Sequence, residues 1–256
     1  MKIVVKVGTT SLAHEDGSRN IRQIQSMCAV LSRLKRAGHE VVLVSSGAIG
    51  MGVGKLGLPG RPADMPTKQA AAAVGQCELM YAYDREFARH GITVAQILLT
   101  GTDIHDQRRL INFQNTLGRL LELGVLPVVN ENDTVATDEI VIGDNDTLAA
   151  VVAVSLSAHI LVLLSDIDGL YTGDPHLEPE ARLIERVEEL SPELLAMAGN
   201  SGSAQGTGGM HTKLAAARLC TEAGCDMIIS NGVRPELLYR LETGEPFGTR
   251  FVSRQK

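Results

Sequence analysis

Six short apolar runs, at residues 3–7, 41–45, 93–98, 125–130, 160–165 and 227–230, alternate for the most part with helix-like stretches at 21–37, 68–90, 107–123, 147–157 and 212–223. Strands joined through a helix pair in parallel, and a parallel sheet needs helices on both faces. The alternation therefore predicts a mostly parallel central sheet between two helical layers, and ligands in such folds collect at the carboxyl ends of the strands. No internal repeat, long linker or low-complexity tail interrupts the pattern, so residues 1–256 are read as a single domain.

The residues that follow the strands are small, polar or acidic. Gly8-Thr9-Thr10 follows the first run, Ser46-Gly47-Ala48-Ile49-Gly50 the second, Glu131-Asn132-Asp133 the fourth and Asp166-Ile167-Asp168-Gly169 the fifth. Between residues 128 and 146, VVNENDTVATDEIVIGDND holds six carboxylates and three asparagines with no Lys or Arg. That much unneutralised charge is tolerated where a metal, a substrate ammonium or distant lysines come to meet it.

Composition removes several classes. With a net charge of −6 and 3% aromatics without a Trp, the chain lacks both the basic surface and the stacking platforms of a nucleic-acid binder. The N-terminus MKIVVKVG is too short an apolar run for a signal peptide. Residues 148–164, LAAVVAVSLSAHILVLL, sit at the low edge of membrane-spanning length but change midway from Ala/Val helix character to strand character, so a buried helix and strand are expected and no membrane span. Cys28, Cys77, Cys220 and Cys225 form no CxxC pair and read as reduced core residues of a cytoplasmic protein.

Two lysines stand beside glycines. Lys6 precedes Gly8 at the end of an apolar strand, which favours a buried, partnered lysine. Lys213 follows the glycine-rich 199–209 segment, GNSGSAQGTGG, near the start of a helix, where backbone N–H groups and the helix dipole favour an anion. The patterns GxxxxGK[ST], GxGxxG, GxSxG and HExxH are absent and no EF-hand loop is complete, so no dedicated metal cage is expected. Asp168-Gly169 reads as the start of a hairpin turn. Two lysine-and-glycine sites, an acidic site and a hydroxyl-bearing turn, all at strand ends, suit phosphoryl transfer.

Lys6-Val7-Gly8-Thr9, Ser46-Gly47-Ala48-Ile49, Val128-Val129-Asn130-Glu131-Asn132-Asp133, Gly143-Asp144-Asn145-Asp146, Gly169-Leu170-Tyr171-Thr172 and the 206–213 segment together resemble the amino acid kinase family, in its glutamate-phosphorylating branch. The resemblance implies a three-layer α/β/α sandwich with a mostly parallel central sheet and the conversion of ATP and L-glutamate to ADP and L-glutamyl 5-phosphate, the first step of proline biosynthesis. It implies that Lys6 and Lys213 stabilise the moving γ-phosphoryl group while Asp146 holds them, and that Ser46, Asp133 and Asn145 bind glutamate. Lys6, Gly8, Ser165, Asp166, Thr207, Gly208, Gly209, Met210, His211, Thr212 and Lys213 would line the ATP site, with Mg²⁺ arriving on the nucleotide. Ser165 stands where the family often has Thr. A homo-oligomer and feedback inhibition by proline are implied too, although many relatives carry a C-terminal PUA module and this chain, stopping at Lys256, is read as having none. Kinases acting on aspartate or N-acetylglutamate, and a non-catalytic amino-acid sensor, are the competing readings.

Overall fold

The computed structural model describes residues 1–12, 20–135, 145–175, 177–178, 180–192, 194–195 and 209–253. Among them, eight strands form one sheet: β1 (Lys2–Val7), β2 (Glu40–Ser45), β3 (Val94–Leu99), β4 (Leu126–Glu131), β5 (Ile160–Ser165), β6 (Arg186–Val187), β7 (Asp226–Asn231) and β8 (Thr249–Phe251). Their order is β3-β4-β2-β1-β5-β7-β8-β6, and every neighbouring pair is parallel except β7 with β8. The six longer strands coincide with the six apolar runs. The two short ones, β6 and β8, carry too few residues to give a pattern.

Side-chain alternation assigns the layers. Ile3, Val5 and Val7 of β1 pack with Ile24, Met27 and Leu31 of α2 (Ile21–Arg36) and with Leu79, Tyr83 and Phe87 of a long Ala-rich helix, Met65–Ala88. Val4 packs on the opposite face, with Leu148, Ala149 and Val152 of a helix at Asn145–Ser155 and Leu214, Ala217 and Cys220 of another at Met210–Glu222. With a period of two, Lys6 shares the face of Val4. Helices among the described residues are, in chain order, α1 (Thr9–Leu12), α2, α3 (Ala48–Leu56), α4 (Met65–Ala88), α5 (Gly101–His105), α6 (Gln107–Glu122), α7 (Asn145–Ser155), α8 (Met210–Glu222) and α9 (Arg240–Thr243).

One segment departs from its sequence reading. Residues 45–54, with four glycines, read as a glycine-dense turn from strand to helix with no helix of its own expected before residue 68, whereas the structure has the helix α3 there. Gly50, Gly52 and Gly54 each cost about 1 kcal/mol of helix propensity relative to Ala. The compensation is tertiary: a Cβ on Gly75 of α4 would lie 1.7 Å from the Ala48 carbonyl oxygen, and one on Gly52 would lie 1.8 Å from that of Ala71. The two helices therefore cross backbone against backbone. Gly47, at φ +96°, makes the turn from β2 into α3.

Two smaller readings are also settled. Residues 148–164 divide into the end of α7 and β5, with Ser157 at φ 48° in the turn between them, and no helix among the described residues is long and apolar enough to cross a membrane. Cys28, Cys220 and Cys225 are buried, but Cys77 is exposed, on the outward side of α4, which corrects its reading as a core residue.

Candidate active site

Strands β1, β2, β3, β4, β5 and β7 run in one direction, so Val7, Ser45, Leu99, Glu131, Ser165 and Asn231 end on one edge. The register levels the middle of that edge, since Val7 lies opposite both Ser45 and Leu164. Helices α7 and α8 start at this edge, next to the end of β1.

Three charged side chains meet there. Lys6 Nζ lies 2.6 Å from Asp146 Oδ1, and Lys213 Nζ lies 3.2 Å from Asp146 Oδ2. Asp146 is fully buried, and Lys6 and Lys213 are 8% and 5% exposed. The Thr212 hydroxyl, 2.8 Å from the Gly209 carbonyl, also lies 3.3 Å from Asp146 Oδ2. Among the described residues, two cations face one carboxylate out of water, a bias toward an anion.

Asn145, one residue earlier on α7, faces another group. Its Nδ2 has three acceptors in reach: Ser46 Oγ at 2.7 Å, the Ser45 carbonyl at 3.1 Å and Asn130 Oδ1 at 3.1 Å. Asn130 in turn donates from Nδ2 to Gln76 Oε1 of α4 at 2.9 Å, and its Oδ1 accepts from the Glu131 backbone N–H at 2.9 Å. Ser46, Asn145 and Asp146 thus come together around the start of α7, with Lys6 and Lys213 on its other side.

Asp133 stands just past the end of β4, half-buried, with no hydrogen bond or ion pair among the described residues. Burial pushes its carboxyl above the usual carboxylate range, and the charge of Arg61 opposes this only in part. At the end of β5, Ser165 donates its hydroxyl hydrogen to Asp166 Oδ1 at 2.8 Å. The Gly8 N–H donates to the Leu164 carbonyl at 3.3 Å, which ties the loop after β1 to the end of β5. Met210, exposed His211 and Thr212 form the first turn of α8. Thr207 and Gly208 lie outside the described residues, as do 136–144.

The helix starts differ in a way that matters for anions. Asn20, Asp64, Thr100 and Asp106 cap α2, α4, α5 and α6 by accepting from backbone N–H groups. The N-cap residues of α3 and α8 are Gly47 and Gly209, which make no side-chain cap hydrogen bond. Among the described residues no side chain takes up their first N–H groups at the strand-end edge, and α8 adds Lys213 there.

Sequence reading had not singled out Gln76. A lone Gln in the Ala-rich stretch around α4 reads as a solvated position. The available signal was its place on the apolar stripe of Ala71, Ala72, Gly75 and Leu79, which the structure shows buried.

The amino acid kinase family model matches residues 1–231. The chain belongs to the amino acid kinase family. It is 48% identical to a glutamate 5-kinase of Caldanaerobacter subterraneus subsp. tengcongensis over 98% of this chain and 68% of that protein. A glutamate 5-kinase of Clostridium perfringens is 47% identical over 99% of this chain and 96% of its own length. Two solved structures share the fold at low identity. They are a T. acidophilum isopentenyl phosphate kinase, with a TM-score of 0.70 and 19% identity over 98% of this chain and 100% of that one, and the Giardia lamblia carbamate kinase, with a TM-score of 0.70 and 16% identity over 98% of each.

Proposed function

We propose that the chain transfers the γ-phosphoryl group of ATP to the side-chain carboxylate of L-glutamate, giving ADP and L-glutamyl 5-phosphate, the first step of proline biosynthesis. The observation that carries this reading is the buried Lys6, Asp146 and Lys213 cluster at the carboxyl edge of the sheet, the same edge at which the half-buried Asp133 follows β4. The near-half identity to glutamate 5-kinases over almost the whole chain supports it.

A carboxylate nucleophile, with a reference pKa of about 4.3, is ionised at neutral pH and needs no general base. The barrier lies in bringing that anion to an anionic phosphate. A unit charge 4 Å from another is worth about 4 kcal/mol at an effective dielectric constant of 20, so two lysines can supply much of the needed stabilisation. Asp146 prevents the two from repelling each other apart and keeps both aimed at one point. Ser46 and Asn145 are assigned to the acceptor, Asp133 to its ammonium. Gly8, Ser165, Asp166 and the first turn of α8 are assigned to the nucleotide, together with Thr207 and Gly208.

Among the described residues no three His, Cys, Asp or Glu gather closely enough to hold a metal ion. We assign Mg²⁺ to the nucleotide itself, because this ion keeps several waters and binds through phosphates, and no step here runs through a protein-held metal. The reading extends to a cytoplasmic homo-oligomer with proline as feedback inhibitor, which solution mass and inhibition assays address.

The test is to mix the protein, MgATP and each amino acid with hydroxylamine, which traps acyl phosphates as hydroxamates. Glutamate should give the largest yield. No hydroxamate with glutamate, or more with aspartate or N-acetylglutamate, defeats the assignment.

A further inference from the structure

Gln76 sits on α4 in the helical layer opposite the one that supplies Asp146 and Lys213, and it is 8% exposed. Its carboxamide oxygen accepts from Asn130, but its Nε2 is buried without a partner among the described residues. A buried amide donor left unmade is costly, so a glutamine here calls for a reason beyond packing.

The reason lies in the direction of the hydrogen bonds. A backbone N–H can only donate, so Glu131 N fixes Asn130 Oδ1 as an acceptor and turns Asn130 Nδ2 toward Gln76. A backbone carbonyl can only accept, so the Ser45 oxygen fixes Nδ2 as the end of Asn145 that faces Ser45, Ser46 and Asn130. Ser46 Oγ, taking a hydrogen from Asn145, is left with its own hydroxyl hydrogen uncommitted among the described residues. Ser46 is half-buried and can be reached from the strand-end edge. The last group in the line thus points a donor outward, as an acceptor carboxylate requires.

We infer that Gln76 is a positioning residue for the acceptor site: its carboxamide oxygen anchors Asn130 Nδ2 and so steadies the Asn130 Oδ1 that, beside the Ser45 carbonyl, holds Asn145 against Ser46 with the Ser46 hydroxyl free to donate to the substrate carboxylate. Its Nε2 exposes no surface to a ligand, so Gln76 acts through its oxygen and through Asn130. Without that oxygen, Asn130 Nδ2 becomes a buried donor in search of a partner, and the Asn130 Oδ1 that faces Asn145 is no longer held in place, which loosens the placement of Asn145 against Ser46.

This inference rests on the acceptor-site reading, and wild-type hydroxamate formation with glutamate tests that reading separately. Two variants test Gln76 itself. Gln76→Met keeps length and volume but removes the acceptor, while Gln76→Glu keeps an oxygen facing Asn130 and replaces the orphan donor with a second carboxyl oxygen, at the cost of burying an ionisable group. In Gln76→Met the glutamate KM should rise about tenfold, with kcat and the ATP KM within about twofold of wild type. In Gln76→Glu the glutamate KM should stay within about threefold. A residue that merely fills space would move the KM values for both substrates and the thermal midpoint together. An unchanged glutamate KM in Gln76→Met, or a Gln76→Glu at least as impaired, would overturn the inference, the latter pointing to Nε2 instead. If Gln76→Met does not fold, Gln76→Glu decides alone: a glutamate KM within threefold supports the role of the oxygen, and anything higher refutes it.

Discussion

The cation cluster around Asp146 and the amide relay around Asn145 start one residue apart on α7, yet one is held by charge and the other by neutral hydrogen bonds. The difference matches the roles proposed for each. A phosphoryl group gathers charge as it moves, so a concentrated, buried charge acts mainly on the transition state. A bound amino acid must be told from its neighbours, and directional hydrogen bonds with one permitted polarity do that with little net charge. Damage to the cluster should therefore appear in kcat, and damage to the relay in KM.

The largest effect should come from Asp146→Asn, which leaves two buried lysines without their shared carboxylate. Denaturant unfolding should show a loss of about 3–5 kcal/mol, alongside a collapse of kcat. Lys213→Met should cost about 10²–10³ in kcat, or about 2.7–4 kcal/mol, and leave the glutamate KM nearly unchanged. A KM effect instead would erase the division between cluster and relay.

Asp133→Asn belongs to the binding side and should raise the glutamate KM about tenfold, or about 1.4 kcal/mol, while sparing the ATP KM. Burial raises the pKa of this carboxyl, so it takes up a proton at a higher pH than an ordinary aspartate. The wild-type glutamate KM should accordingly climb as pH is lowered from neutral, and Asp133→Asn should flatten that climb. Equal slopes in the two proteins would remove Asp133 from the ammonium site.

The smallest effect should come from a residue outside both groups. Asp226 is buried at the start of β7 and accepts from the Ser253 N–H at 3.0 Å, the Ser253 hydroxyl at 2.8 Å and half-exposed Arg250 at 2.6 Å. Burial pushes its pKa up, but these donors outweigh it and the net shift is downward. A lowered native pKa gives stability that is present above the unfolded value of about 3.9 and is lost as pH falls through the native one. Asp226→Asn should cost about 1 kcal/mol at neutral pH, after allowing for solvent screening at Arg250, with kcat and both KM values intact. The gap from wild type should close in acid.

Most of the long strands were legible because they bury both faces and so read as nearly unbroken apolar runs, while β3, partly buried at the sheet edge, still shows an apolar run around Gln96. Lys6 was legible for the same reason, as a cation set inside such a run. Strands β6 and β8 were not, since their pairing depends on a neighbour far away in sequence. The helix α3 stayed hidden because local propensity counts Gly52 as a loss, and its gain exists only against Ala71 on another helix. Ser46, Asn145 and Asp146 and their separate roles came with the family resemblance, but the geometry that sends Asn145 and Asp146 to different partners from one helix did not. It depends on which way each side chain leaves the helix. Gln76 needed the hydrogen-bond directions, which no sequence pattern encodes.

Asn145 and Asp146 are joined by a single peptide unit, which is planar and nearly rigid. A shift of α7 that displaces the acceptor's amide carries the lysine-holding carboxylate along with it. Placement errors on the two sides of the reaction are therefore shared instead of added, and the distance between nucleophile and phosphoryl group can stay constant even while the helix breathes.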